Sequence, residues 1–331
     1  MAEITVYDVA KKAQVSIATV SRVLNSPDKV NEVTRRRVLV AIDTLGFVPK
    51  AEAAARARKG QGRVGVLAPF FTYPSFVQRL RGVATALRDS SYDLAIYTVD
   101  SSARRDGYLS SLAVTRRLDG LIVMSLPFDD VAARRLVQHG LETVLIETSR
   151  DAFSSVEIDD EAGGRMAAEF LISKGHCRFG FVGDADLPDY SIHASDVRLA
   201  GYRTALEAAG FSLPDAHVGL APHSMEQARR QTHCLLDLAE PPTAIFAYSD
   251  TQAMGVLKAA RERGMSVPRD LAVIGFDDVE IADYIGLTTI RQQLEESGRV
   301  AVEILMARLA DRSRPIQHVK LPLVIIKRET A

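Results

Sequence analysis

Thr5–Asn25, TVYDVAKKAQVSIATVSRVLN, reads as two short helices joined by a tight turn. Thr5 and Asp8 have the spacing of a capping box, so the first helix starts there. Val6, Val9, Ala10 and Ala13 recur at helical spacing and can face a small core. The pattern breaks at Gln14 and Val15, and Ser16 can cap a second helix running to about Leu24. Val20, Val23 and Leu24 turn inward on that helix, whereas Ile17, Ala18, Ser21, Arg22 and Asn25 share its outer face. Small, polar and arginine side chains near a helix N-terminus suit the major groove of DNA. Bases there offer N7 and O6 acceptors and thymine methyls, and the positive end of the helix tolerates phosphate. The same pattern alone would also describe an ordinary surface helix–turn–helix.

The neighbouring residues narrow the choice. Y-D-V-A (Tyr7 to Ala10) and V-S-x-x-T-V-S-R-V-L-N (Val15 to Asn25) are followed by V-x-x-x-T-R-x-x-V (Val30, Thr34, Arg35, Val38) and L-G-F-x-P (Leu45, Gly46, Phe47, Pro49). Together they resemble the N-terminal headpiece of the lactose-repressor/galactose-repressor (LacI/GalR) family of bacterial transcriptional regulators. The resemblance implies a DNA-binding headpiece over 1–48, a hinge over 49–61 and an effector-binding, dimerising core over 62–331. It implies DNA contacts from Thr5, Tyr7, Ser16, Ile17, Ala18, Thr19, Ser21, Arg22, Asn25, Lys29, Asn31 and Thr34. Among these Arg22 is the expected base reader.

A third helix is predicted from Glu32 to Leu45, capped by Asn31 and stopped by Gly46. Val33, Val38, Ala41, Ile42 and Leu45 are expected to fill the headpiece core, and Arg35, Arg36 and Arg37 to lie mostly outside, positioning phosphates without reading sequence. The alanine-rich segment after Pro49 has high helix propensity and nothing to bury, so it reads as a linker that becomes helical on DNA. In the family this hinge enters the minor groove, usually wedging a leucine between base pairs. The resemblance implies Ala53 and Arg56 as the hinge contacts here, and with Arg56 in the leucine's place an electrostatic rather than a wedging role is expected of it. Gly60-Gln-Gly62-Arg-Val-Gly65 has the spacing of a dinucleotide fingerprint but precedes a strand instead of opening a helix, so it reads as linker.

Composition agrees with a soluble globular chain of two or three units: 331 residues, 47% hydrophobic and 25% charged. The net charge of −1 hides a split of +5 for residues 1–60 and −6 for the remainder, a basic head on an acidic body. No signal peptide and no apolar run of roughly 20 residues is present, so a cytoplasmic protein is expected. Cys177 and Cys234 suit a reducing compartment and are expected to be buried thiols rather than metal ligands, although each follows a histidine. The nucleophile elbow, the zinc-protease signature and the P-loop are all missing, so neither an enzyme nor a cofactor is expected.

From Arg63 onward, short apolar strands alternate with helices, which predicts parallel sheets covered on both faces. Strands are expected at Val64–Ala68, Leu94–Val99, Gly120–Met124 and Thr143–Ile146, then at Phe179–Val182, His217–Leu220, Ala244–Ala247, Leu271–Gly275, Thr288–Ile290 and Leu321–Lys327. The resemblance implies a core like a periplasmic sugar-binding protein, two α/β lobes joined by three crossovers near 159, 288 and 319. Lobe 1 would then span about 62–159 and 289–318, and lobe 2 about 160–288 and 319–331.

In open α/β sheets ligands sit beyond the carboxyl ends of the strands. That rule selects Phe70, Tyr73, Phe76, Ser125 and Glu147 on one lobe, and Tyr248, Asp250, Phe276 and Asp277 on the other, with Arg198, His223 and Gln292 facing the same region. Carboxylates and a guanidinium beside aromatic walls suit a polyol. Asp250 equally suits a helix N-cap, Asp278 a turn or cap, and Phe76 core packing. I-G-F-D-D (Ile274 to Asp278) and R-x-x-G-Y (Arg198, Gly201, Tyr202) match the family, in which the arginine and the first aspartate commonly bind effector hydroxyls. Glu147 stands where the family more usually has aspartate.

The expected function is a sequence-specific transcriptional regulator, most often a repressor in this family, acting as a homodimer on a pseudo-palindromic operator under a small ligand, expected to be a sugar or sugar derivative. The chain lacks the heptad tail that makes some relatives tetramers, and the dimer interface is expected on lobe 1, including the helix from Phe76. Rival readings are control by a nucleoside or purine, control by a protein corepressor, and a solute-binding protein.

Overall fold

The computed structural model describes residues 4–25, 27–47, 62–185 and 187–331. The headpiece is built from α1 (Val6–Ala13), α2 (Ile17–Asn25) and α3 (Glu32–Leu45). Asp8 accepts from both the N–H (2.8 Å) and the hydroxyl (2.7 Å) of Thr5 at the start of α1. Asn31 accepts the Thr34 N–H at 2.8 Å, and Gly46, at φ +60°, ends α3 in the left-handed conformation that glycine adopts without strain. Val9, Val20, Val23, Val38 and Ile42 are fully buried in the centre. Two expectations fail here, those for Val33 and Arg35, whereas Arg36 and Arg37 are exposed as expected. Val33 is 73% exposed, on the outer side of the first turn of α3. Arg35 is buried and turns toward the core, donating to the Ala103 carbonyl at 3.4 Å. Arg37 donates to the carbonyls of Ala13 and Gln14, both at 3.1 Å, and so satisfies the end of α1. The hinge residues Ala53 and Arg56 lie outside the described residues.

The headpiece leans on the unit that follows it. Val114 of that unit belongs to the headpiece's own apolar cluster, and Pro27 packs against Gly107. Asp43 of α3 accepts from Arg135 at 2.6 Å and lies 3.0 Å from His139 Nε2. Burial pushes the Asp43 carboxyl up, but the hydrogen bonds from His139 and Arg135 outweigh it and hold the group below its ordinary range.

Lobe 1 carries β1 (Gly62–Ala68), β2 (Tyr92–Thr98), β3 (Gly120–Met124), β4 (Glu142–Ile146), β5 (Ser154–Glu157) and β11 (His318–Lys320), ordered β11-β5-β4-β3-β1-β2 and all parallel. α4 (Pro74–Leu87) and α12 (Leu294–Ala310) cover one face; α5 (Ser102–Thr115) and α6 (Asp130–Gln138) cover the other. Lobe 2 carries β6 (Phe179–Asp184), β7 (Val218–Ala221), β8 (Ala244–Ala247), β9 (Ala272–Asp277), β10 (Thr288–Arg291) and β12 (Val324–Ile326). Their order, β12-β10-β9-β8-β6-β7, repeats that of lobe 1, and only the β10–β12 pair is antiparallel. α7 (Asp160–Ser173) and α8 (Ala194–Ala208) cover one face, α9 (Met225–Leu236) and α10 (Asp250–Glu262) the other, and α11 (Glu280–Tyr284) follows β9. Strands buried on both faces must be apolar at every position, which is why runs such as Val64 to Ala68 and Ala244 to Ala247 do not alternate.

Two crossovers differ from expectation. β10 pairs with β9, so the chain returns to lobe 1 after Arg291 rather than at 288. The strand predicted over Leu321–Lys327 is two strands in two sheets: Pro322, which cannot donate to a ladder, separates them, and the third crossing runs through 321–323 instead of 319. Cys177 and Cys234 are exposed free thiols, not buried ones. Among the described residues no helix is long and apolar enough to cross a membrane.

Candidate functional site

The carboxyl ends of both sheets face one another across a cleft, and the space enclosed there is about 270 Å³. Ten of the twelve residues selected from the sequence line it: Phe70, Tyr73, Phe76, Ser125, Glu147, Arg198, His223, Tyr248, Asp277 and Gln292. Arg198, 3% exposed, projects from the first turns of α8. Its Nε donates to Asp160 at 2.7 Å, its Nη1 donates to the Tyr248 carbonyl at 2.8 Å, and its guanidinium lies 3.5 Å above the ring centroid of Phe276. Burial alone would lower its pKa; Asp160, Tyr248 and Asp277 outweigh that and raise it, so the charge is permanent.

Two selected residues are not in the lining. Phe276 is fully buried and serves as the platform beneath Arg198. Asp250 is fully buried as well, accepting the Thr289 hydroxyl at 2.5 Å and the Val279 N–H at 2.8 Å. It is not the N-cap of α10, a place that Ser249 takes by accepting from Gln252 N–H at 3.3 Å. Burial, and then the nearby charge of Asp277, push the Asp250 carboxyl well up. Asp250 thus ties the exits of β8 and β9 to the start of β10 below the cleft. Asp277 is displaced in the same direction, to about 6, by burial against the opposing pull of Arg198. Asp278 pairs with Arg291 at 2.7 Å and Arg328 at 2.8 Å, a turn role.

The sequence reading missed Arg79 and Asp184. Arg79, 2% exposed, reaches the cleft from the inner face of α4, where it donates to Glu147 and, at 2.7 Å, to Gln292 Oε1. Glu147 also takes the Ser125 hydroxyl, and Gln292 passes a hydrogen bond to Asp277, so a polar chain crosses from lobe 1 to lobe 2. Asp184, at the end of β6, accepts from Gln252 at 2.7 Å and lies 3.0 Å from His223 Nδ1. Its position at a strand end was the available signal. Tyr73 of lobe 1 stacks on His223 of lobe 2 at 4.8 Å, and Phe70 stacks on Tyr73 at 5.0 Å. Among the described residues eight non-glycine positions have positive φ, and five of them (Phe70, Ser125, Glu147, Asp277, Asp278) sit at strand ends bordering this cleft. Such conformations cost free energy and concentrate where side chains must be aimed at a ligand.

At the other end of the chain, α2 presents Ile17, Ala18, Ser21 and Arg22 to solvent, and Ser16 just ahead of it is exposed, as are Tyr7, Lys29 and Asn31 nearby. Thr5, Thr19 and Thr34 are half-buried, and the Thr19 hydroxyl lies 2.9 Å from that of Ser16. The side chain of Asn25 lies outside the described residues.

An exposed recognition helix on a three-helix headpiece, joined to two lobes closed on a polar cleft, defines a helix–turn–helix regulator with a ligand-binding core. Residues 5–50 match the family model of bacterial regulatory proteins of the lacI family, and residues 168–331 match the periplasmic binding protein-like domain. Catabolite control protein A of Priestia megaterium is 31% identical over 323 residues, 96% of each chain. The HTH-type transcriptional repressor CytR of Escherichia coli (strain K12) is 32% identical over 310 residues, 91% of this chain and 89% of that one. Among solved structures, the complex of the transcriptional regulator CelR with cellobiose matches with a TM-score of 0.71 at 29% identity, over 99% of this chain and 100% of the other. A LacI family regulator from Enterococcus faecium with bound ribose gives 0.71 at 26% identity, over 81% and 98%. The chain belongs to the LacI family of bacterial regulatory proteins.

Proposed function

We propose that the protein is a cytoplasmic, homodimeric repressor of a carbohydrate-related operon, whose grip on a pseudo-palindromic operator is set by a small ligand in the interlobe cleft. The observation that carries this reading is the orientation of α2: its outer face stays open to solvent although the headpiece is packed against lobe 1. Arg22 donates to a guanine edge, Ile17 and Ala18 supply apolar contact, and Thr5, Tyr7, Ser16, Thr19, Ser21, Asn25, Lys29, Asn31 and Thr34 hold the helix in register against phosphates and neighbouring base edges. The hinge contacts are Ala53 and Arg56. A dimer places two such helices in successive major grooves, about 34–36 Å apart. In the cleft, Arg198, Asp277, Glu147, Ser125 and Gln292 exchange hydrogen bonds with ligand hydroxyls, and the aromatic side chains cover its apolar face. The ligand controls DNA binding to the extent that its affinity differs between the DNA-bound and free forms.

The test is selection of bound sequences from a random duplex library at moderate salt, followed by titration of the winner. Enrichment of a two-fold symmetric site is expected. Arg22→Ala should lower its preference over random duplex by about 1–3 kcal/mol while leaving ligand binding in the cleft unchanged. Recovery of no symmetric site, or an Arg22→Ala protein that discriminates as well as the parent, would falsify the proposal.

A further inference from the structure

The two lobes repeat one another around the cleft at the level of single side chains. Arg63-Val-Gly65-Val-Leu67 opens the first sheet and Arg178-Phe-Gly180-Phe-Val182 the second. Following the strand pairing outward from that match sets Ser125 against Ser249, and Glu147 against Asp277. The helices after β1 and β6 carry Arg79-Leu-Arg-Gly82 and Arg198-Leu-Ala-Gly201. In each, the glycine one turn after the arginine lets a neighbouring backbone in: Gly82 meets the Glu295 carbonyl, and Gly201 the Glu161 carbonyl. The contact is reciprocated by Gly298 against the Arg79 carbonyl and Gly164 against the Arg198 carbonyl. Arg79 is therefore the lobe 1 counterpart of Arg198, held by the same backbone device.

Arg79 is also built for contact rather than for packing. It lines the cleft, and its buried Nε has no hydrogen-bond partner. Gln292, accepting from Arg79 and donating to Asp277, links the two sets of groups. The charges in and under the cleft do not cancel. Arg79 and Arg198 stand with Glu147, Asp160, Asp184 and Asp277, two more carboxylates than guanidiniums; each guanidinium already faces a carboxylate, and His223, 3.0 Å from Asp184, offsets one carboxylate only when it is protonated, which still leaves one in excess. A phosphate brought there meets an excess of like charge. A hydroxyl does not, because it can donate to a carboxylate and accept from a guanidinium at once. The cavity is at or below the small end of ligand sites, roughly 300–1,000 Å³, which suits one ring.

We infer that Arg79, with Glu147 and Ser125, forms a second hydroxyl-binding edge opposite Arg198, Asp277 and Ser249. The cleft thereby selects an uncharged single-ring polyol with hydroxyls on two opposite edges, and rejects its phosphorylated form. The inference rests on the ligand-controlled reading given above and names the chemistry of that site.

Calorimetric titration of the full chain tests it, with D-glucose, D-galactose, D-ribose and myo-inositol as neutral probes, D-glucose 6-phosphate and D-ribose 5-phosphate as charged ones, and cellobiose as a two-ring probe. At least one neutral single ring should bind, and its phosphate should bind at least about a hundredfold more weakly. Glu147→Gln, which removes one negative charge, should shrink that penalty by roughly tenfold. Arg79→Met combined with Glu147→Leu removes both charges, so neither is left buried alone. A fold comparable to the parent, checked by circular dichroism, should accompany a roughly ten- to hundredfold loss of affinity for the neutral ring. Tighter binding of a phosphate, or of cellobiose, overturns the inference but leaves a ligand-controlled regulator. Undiminished neutral binding in the folded double variant removes Arg79 from the site. If no probe binds and none alters operator retention, both the inference and the ligand-controlled reading fall.

Discussion

Asp277→Asn should make the ligand-free protein more stable at alkaline pH while damaging its site. Asp277 is 8% exposed and its carboxyl titrates near 6 in the folded chain, displaced by burial from an ordinary value of 3.8. The gap of about 2 pH units, at about 1.4 kcal/mol each, corresponds to about 3 kcal/mol of burial cost carried by the ionised group. The folded state holds the proton more tightly. The stability contributed by that proton is therefore complete below 3.8 and is lost as pH rises through 6. Asparagine cannot ionise, can still accept from Gln292, and tolerates positive φ better than most side chains, as the +115° of this residue requires. Urea unfolding of parent and variant, followed by circular dichroism at about pH 4, 6 and 8, gives the comparison. The variant should gain up to about 3 kcal/mol at about pH 8 and almost nothing at about pH 4, and should bind a neutral sugar at least about tenfold more weakly. A variant less stable than the parent at about pH 8 would show that the carboxylate carries no such cost, and the argument from burial would be wrong.

Two further outcomes follow from groups outside the lining. Thr289→Val takes the hydroxyl at 2.5 Å from the fully buried Asp250 and should cost about 1–3 kcal/mol in chemical denaturation, with ligand affinity affected less than by any change at Arg198. Arg135→Ala removes the partner 2.6 Å from Asp43 and should speed amide exchange in α1 and α3 by a few-fold, leaving exchange in lobe 2 unchanged. Unaltered exchange in the headpiece would mean that the pair contributes nothing to its docking.

The two-lobed architecture was legible because strands buried on both faces leave unbroken apolar runs, as at Gly120 to Met124, with helical periodicity between them. β5 escaped notice because Ser154 and Ser155 are buried polar residues, and a strand of four residues offers too little pattern. Strand identity was also easier to read than sheet membership, since nothing in Thr288 to Arg291 states which neighbour it will pair with. In the cleft the rule of strand ends recovered most of the lining, yet Arg79 lies inside a helix and was invisible to it. The repeated arginine–glycine spacing in α4 and α8 could have exposed it. Asp250 shows the opposite error: this polar residue at a strand end turns away from the cleft and serves the Val279 N–H and the Thr289 hydroxyl. Arg35 is buried because α3 has a second neighbour, lobe 1, that the headpiece sequence alone does not reveal.

Helix α5 connects three parts of the molecule. Its first residue, Ser102, donates to Asp189 of lobe 2 at 2.6 Å; Ala103 and Gly107 meet Arg35 and Pro27; Val114, in its last turn, is embedded among headpiece side chains. Fourteen helical residues make a strut of about 21 Å that neither stretches nor bends easily. A swing of lobe 2 large enough to pull Asp189 away must either break that bond and unpack Tyr190 from the cluster that holds Leu109 and Leu112, or tip the strut, and tipping it would tilt the headpiece with no message passing through the hinge.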